Sequence, residues 1–358
     1  MRRLSPEELA RAKRLEQLEK ELKKIFSQSF YLSLRLPEIM RAFRDGDEKF
    51  SIAGNRAIIK KINRILNKQY SQFNISLING IKNEFEITNS DLWHRLKNRF
   101  GNSTAKAKEF EMIKEIATKG VRSIAEQSRN FINQKRNGLT VSERVWKSFE
   151  GVTKEIDVIV QNGIKEGKSA DTIARELPEY LQDEKKLFRR VRNKKTGKLE
   201  WSKAAKDYHP GQGKYRSSYK NAMRLTRTEI NTAYRLAEWN GYQNNPLITG
   251  FEIALSNNTE NQCDVCKRLA GFYPKWFKWS GWHPQCRCRM IATLITMQER
   301  QQLAILTLQG KRNEFKAKEI TELPTAFKEY LSESRERIAN ASSLPYWYSD
   351  NIDKLITL

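Results

Sequence analysis

The chain has 358 residues, long enough for two or three domains, and its 39% hydrophobic content can supply ordinary cores, so it need not be disordered and is expected to fold. Lys and Arg outnumber Asp and Glu by 66 to 42, and a formal net charge of +24 predicts a polyanionic partner, with nucleic acid favoured over an anionic membrane surface. No stretch approaches the roughly 18 uninterrupted apolar residues of a membrane span, and the basic N-terminus lacks a signal-peptide core, so a protein made in a reducing compartment, without a membrane partner, is expected.

In chain order, Ser5, Pro6 and Glu8 form a helix start, and Leu15, Leu18, Leu22 and Ile25 repeat at helical spacing, predicting an amphipathic helix over 5–26. Its apolar stripe is expected to dock on a partner or on the body of the protein. Residues 56–135 carry further helical patterns, with breaks expected near Asn89-Ser90 and Gly101-Asn102, so 1–140 reads as a helical N-terminal region. Thr140 and Glu143 predict a capping box that opens a helix running towards Gly163 or Gly167, and "SADTIARELPEYL" predicts a short helix after it. These two segments could form a helix-turn-helix, but only Arg175 and Gln182 in the second could reach base edges, which disfavours sequence-specific reading.

Residues 185–229 hold fifteen Lys or Arg against three acidic residues, half of the whole charge excess. Turn residues without a clear period predict an exposed basic arm in its first part, where Arg189, Arg190, Arg192, Lys194 and Lys195 are candidate contacts to DNA phosphates. The second part, from Ser217 or Ser218 to near Gly241, predicts a helix on which Leu225, Glu229, Ala233 and Leu236 share a stripe. Glu229 is then either a carboxylate at the stripe's edge or a buried one paired to a cation. "GFEIAL" and "RCRMIATLI" predict two short strands flanking a cysteine-rich window as a small sheet. Residues 297–358 read as a helical C-terminal tail, interrupted near Pro324 and Pro345.

All four cysteines lie in 263–290. Cys263 and Cys266 have the C-x-x-C spacing that lets two thiolates meet one tetrahedral metal, and Cys286 follows Cys266 after 19 residues, within the range of zinc ribbons. His283-Pro284-Gln285-Cys286 is the kind of tight turn that brings the ligands at its ends together. The predicted site is a closed structural zinc held by Cys263, Cys266, His283 and Cys286, with Cys288 in place of one of the last two as the alternative. Disulfides, a thioredoxin-like redox pair and a catalytic zinc are weaker readings: the chain shows no secretion signal, no βαβ context and no H-x-E or H-E-x-x-H. Trp276, Phe277, Trp279 and Trp282 could stack on single-stranded bases, though packing on the small core or a protein contact is the commoner role.

The order "LTRTEINTAYRLAEWNGY", a short strand, "CDVCKRLAG" and then "HPQCRC" resembles the phage head morphogenesis family, the minor head proteins named after the F protein of phage Mu. The resemblance covers about residues 150–295 and places Arg227, Thr228 and Glu229 on the family's helix motif, and Cys263, Cys266, His283, Cys286 and Cys288 on its cysteine and histidine positions. Phe251 and the run Ser256-Asn257-Asn258 stand where the family usually has a Trp and an Asp. The resemblance implies a virion component, in host cytoplasm during assembly, with portal and capsid proteins and double-stranded DNA as partners. The expected fold is mainly α with a small α+β zinc-containing domain over 141–296, and the expected role is binding without catalysis. A zinc-dependent DNA-processing enzyme or effector carried with the virion, and a free cytoplasmic DNA-binding protein, are the alternatives.

Overall fold

Helix-forming sequence dominates the chain, and the computed structural model, which describes residues 5–100, 104–209, 215–256 and 262–356, is mainly helical with a few short strands. The first part comprises α1 (Pro6–Leu34), α2 (Pro37–Asp45), α3 (Arg56–Phe100), α4 (Thr104–Thr118), α5 (Ile124–Asn133), α6 (Val141–Phe149), α7 (Val152–Lys165), α8 (Ala170–Gln182), α9 (Glu184–Leu187), β1 (Val191–Arg192), β2 (Leu199–Glu200), α10 (Lys203–Asp207) and α11 (Ser218–Gln243). There follow β3 (Ile248–Ala254), α12 (Asp264–Arg268), β4 (Gly271–Tyr273), β5 (Arg289–Leu294), α13 (Met297–Leu308), α14 (Thr325–Ala339), α15 (Tyr346–Ser349) and α16 (Ile352–Leu355).

Two compact units share these elements: one takes Met1–Leu9, Ile81–Asn133 and Thr228–Leu358, the other Ala10–Gly80 and Gln134–Arg227. These bounds cut across a linear division at 140 and 296, because α3 and α11 each supply residues to both units. The expected helix breaks also change. Helix α3 runs through Asn89-Ser90 without interruption, since Leu92, Trp93 and Leu96 continue its buried face beyond them. Gly101-Asn102 lies outside the described residues.

In the unit of 10–80 and 134–227, Leu22, Phe26 and Phe30 of α1 are fully buried, and the rings of Phe26, Phe73 and Phe149 stand 4.8–6.3 Å apart. The N-terminal stripe is therefore used internally at Leu22, while Leu15, Leu18 and Ile25 are half-buried, and it is not a free docking face. The capping boxes read from the sequence are formed: Ser5 N–H donates to Glu8 Oε2 at 2.7 Å, and Thr140 and Glu143 cap α6 reciprocally. The helix expected from Thr140 towards Gly163 is instead two, α6 and α7, separated at Glu150-Gly151. Gly163 lets α7 approach its neighbours: a Cβ there would lie 2.7 Å from a Phe43 ring carbon and 2.9 Å from Ile173.

The segment read as an exposed arm is ordered and partly buried. Leu187, Phe188, Val191, Ala205 and Tyr208 are in the core, with the Phe188 and Tyr208 rings stacked at 4.8 Å. Its apolar residues sit in turns and in elements of two to five residues, so they have no period to read. Residues 210–214 of the expected arm lie outside the described residues.

One buried carboxyl in this unit gives a pH prediction. Glu155 Oε1 accepts from Ser218 N–H at 2.7 Å, Ser218 hydroxyl at 2.6 Å and Tyr208 hydroxyl at 3.1 Å. Burial nevertheless outweighs these donors and raises its pKa from 4.5 to about 7. The folded state therefore binds the proton more tightly than the unfolded one, so the stabilisation is complete below about pH 4.5 and is lost as pH rises through about 7. The loss amounts to about 3 kcal/mol. Glu155→Gln keeps an acceptor for Ser218 and Tyr208 and removes the titration. Between pH 5.5 and 8 the wild type should lose roughly 5 °C more in melting temperature than the variant, and parallel losses would contradict the assignment.

In the other unit, β4-β3-β5 form an antiparallel sheet with β3 central, pairing Phe251 with Tyr273 on one side and with Ala292 on the other. The two strands flanking the cysteine window thus pair as expected, and β4 adds a third within the window. Rings of Phe251, Tyr273, Phe277, Trp282, Phe327 and Trp347 form a chain of contacts with centroids 5.0–6.1 Å apart. Phe277, Trp279 and Trp282 are buried and cannot stack on bases; they build the core, as the commoner reading held.

Candidate metal centre

The Cys-x-x-Cys pair sits at the start of α12, where Cys263 is the N-cap and its Sγ accepts from the Cys266 N–H at 3.3 Å. The second half is a tight turn: Cys286 N–H donates to His283 O at 3.1 Å, Pro284 occupies the second position, and Gln285 has φ 62° in the third. That is a type II turn, whose third position normally takes Gly. Gln285 is held there because its N–H donates to the Thr228 hydroxyl of α11 at 3.1 Å.

His283 Nε2 lies 3.3 Å from Cys263 Sγ and 3.2 Å from Cys266 Sγ. Its Nδ1 is 2.8 Å from the Pro284 carbonyl, so a proton on Nδ1 would donate there and leave the Nε2 lone pair for a metal. Cys266 Sγ is 3.8 Å from Cys286 Sγ. Two thiolates about 2.3 Å from one tetrahedral ion lie about 3.8 Å apart, so this spacing suits a shared metal. The donors form two groups, Cys263-Cys266-His283 and Cys266-Cys286-Cys288, with the ligand atoms of each group within 4.8 Å of one another. Cys266 belongs to both. The cluster could hold a metal ion, and its N and S donors suit zinc-like rather than oxygen-seeking cations.

The three close thiols compete for negative charge. Cys286 is held far below the usual thiol range, first by hydrogen bonds from Cys266 and Cys288 and then, against burial, by the Arg235 guanidinium. Cys266 is pushed far above it by its hydrogen bonds to Cys286 and Cys288 and by burial. Cys288, partly relieved by Cys266, is pushed up to about 12 by Cys286 and burial. A bound cation would relieve that competition by neutralising several thiolates at once.

Helix α11 carries the groups that shape this loop. Arg235 is 3% exposed and donates to Ser280 O at 3.1 Å, Cys286 O at 2.5 Å and Cys288 O at 3.0 Å, with its guanidinium 4.7 Å from the Trp279 ring. Gly281, at φ 121°, permits this approach, since a Cβ there would lie 2.7 Å from Arg235 Nη1. Thr232 donates to Ser280 O at 3.4 Å, and Trp239 and Gln243 both donate to Lys275 O at 2.9 Å. These residues recur at helical spacing with Thr228, and that period was present in the sequence. A polar stripe reads as a solvated face, so Arg235 was not singled out there.

The other predicted residues are placed differently. Glu229 is 1% exposed, which removes the reading of a carboxylate at the edge of its stripe. Arg227 donates to Glu19 Oε2 at 2.7 Å. Arg189 spans both Glu166 carboxylate oxygens at 3.1 Å and lies 4.8 Å from the Tyr180 ring, so it is engaged in the protein's own packing. Arg190, Arg192, Lys194 and Lys195 are exposed. Asn257, Asn258 and Glu260 lie outside the described residues. Compared with protein-family models, curated proteins and solved structures, the chain matches none of them.

Proposed function

We propose that this chain is a minor head protein of a phage or prophage, acting at or near the portal by binding rather than catalysis, with one structural zinc and non-specific contact to DNA. The observation that carries the reading is the meeting of its scattered motif residues: Thr228 of the Arg-Thr-Glu segment holds Gln285 inside the His-Pro-Gln-Cys turn, 57 positions away. The motifs that resemble the head morphogenesis family thus form one structural unit. The favoured ligands are Cys263, Cys266, His283 and Cys286, because Cys266 touches both His283 and Cys286; Cys288 then packs beside them as a thiol. Four N and S ligands leave zinc no open position for water, which makes the site structural. The charge of +24 supplies phosphate contacts.

The test is recovery of the chain in gradient-purified, nuclease-treated particles after induction of the phage that encodes it. Co-migration with portal and capsid proteins is expected. Absence from particles would overturn the head assignment, and zinc-dependent cleavage of DNA by the purified chain would overturn the non-catalytic role.

A further inference from the structure

The basic segment contains a built hairpin, and its construction goes beyond what charge alone requires. Strands β1 and β2 pair Val191 with Glu200 and Arg192 with Leu199, and residues 193–198 turn between them. Asn193 is 5% exposed and organises that turn: its Oδ1 accepts from the N–H groups of Lys195 at 2.8 Å and Thr196 at 3.2 Å. Its Nδ2 donates to Glu200 at 2.7 Å, and its backbone exchanges hydrogen bonds with Gly197 N–H at 2.8 Å and Lys198 O at 2.9 Å. Arg192 closes the tip by donating to Gly197 O at 2.7 Å. Buried Val191 and Leu187 hold the base of the hairpin on the core.

Lys194, Lys195 and Lys198 are exposed at this tip. Lys195 makes one loose pair, 3.4 Å from Glu48, and neither Lys194 nor Lys198 has a carboxylate partner among the described residues. A flexible lysine tail would lose backbone freedom on binding; here the side chains alone remain to be ordered, so less of the attraction is spent.

We propose that the turn of this hairpin is a phosphate-contacting element for duplex DNA, with Lys194, Lys195 and Lys198 on the phosphates. The inference rests on the DNA contact in the proposed function and names its site. The strands are two residues long and Val191 is buried, so the turn over 193–198 is the part that meets the duplex, and its lysines reach the phosphates beside the groove. Single-stranded nucleic acid would call for an aromatic platform, and the nearest candidate, Trp201, is half-buried with the Arg190 guanidinium 6.0 Å from its ring. An anionic membrane would attract the same lysines, beside the exposed Leu199, and phosphatidylserine vesicles are therefore an arm of the test.

The test uses the full-length protein, with its metal, and a random-sequence 30-base-pair duplex, titrated at several salt concentrations. A Lys194→Gln, Lys195→Gln, Lys198→Gln triple variant is compared with a charge-matched control, Lys60→Gln, Arg64→Gln, Lys68→Gln, three exposed positions on α3. The hairpin triple should bind at least tenfold more weakly at about 0.1 M salt and flatten the log-log salt slope by about 2 to 3, whereas the control should retain the wild-type slope within about 1. Circular dichroism and melting confirm that both variants fold. Failure of the wild-type protein to bind duplex at low salt would overturn the DNA contact itself. Wild-type binding with an unaffected hairpin triple, or an equal loss in both triples, would overturn the hairpin alone. A larger loss on a single-stranded oligonucleotide or on phosphatidylserine vesicles than on duplex would assign the hairpin to another partner and overturn the proposal.

Discussion

Cys266→Ser is expected to abolish zinc retention, whereas Cys288→Ser should leave about one zinc per chain. Cys266 is the thiol common to both donor groups, 3.2 Å from His283 Nε2 and 3.8 Å from Cys286 Sγ, so its loss leaves neither group with three ligands. Cys286→Ser should retain less zinc than Cys288→Ser, since it removes the thiolate 3.8 Å from Cys266 Sγ while leaving the Cys263-Cys266-His283 group in place. Loss of the metal reaches beyond the ligands. Between β4 and β5 the chain has no regular element over 274–288, and burial there depends on the turn at His283 and on Arg235. Zinc-finger peptides draw an apparent 10–16 kcal/mol from their metal. The unit of β3, β4 and β5 has an aromatic core of its own, so the loss here should be a fraction of that, with local loosening before global unfolding. A chelator should therefore lower the first melting transition by roughly 10 °C or more and change the fluorescence of buried Trp279 and Trp282. Metal analysis of the three cysteine variants and a melt with and without chelator decide the matter. Stoichiometric zinc in Cys266→Ser, or a melt indifferent to chelation, would remove the metal centre from the account.

What the sequence made legible follows the range of the forces involved. Capping boxes at Ser5 and Thr140 are local chemistry, and both are formed. Strands β3 and β5 were announced by alternating and β-branched residues, while β4, three residues of Gly-Phe-Tyr, is too short for a period to register. Asn89-Ser90 looked like a break because propensity was weighed without the tertiary partners that bury Leu92, Trp93 and Leu96. The basic segment was misread for the converse reason. Val191, Ala205 and Tyr208 are isolated apolar residues among lysines, and only the folded chain brings them to a common core. At the candidate metal centre the cysteine spacing named side chains that do cluster, but spacing says nothing about which groups hold their backbone.

Arg235 supplies that missing half, and its removal is the second large effect expected. The side chain is 3% exposed and satisfies three carbonyls, those of Ser280, Cys286 and Cys288, on both sides of the His-Pro-Gln-Cys turn. A buried carbonyl left without its donor costs about 1–3 kcal/mol. Arg235→Leu should therefore destabilise this unit by about 3 kcal/mol or more, and it also withdraws the positive charge that favours the Cys286 thiolate. Arg235→Lys separates the two contributions: it keeps a cation, but a single ammonium on a flexible stem cannot span the three acceptors as a planar fork does. The lysine variant should still bind zinc, yet surrender it to a colorimetric chelator at least tenfold faster than wild type, with the leucine variant faster again. Arg227→Lys, next to the same motif but paired with Glu19, should release zinc at the wild-type rate. If Arg235→Lys held its zinc as long as the wild type, the carbonyl clamp would be incidental to the centre, and the turn at Gln285 together with Thr228 would have to hold the ligands unaided.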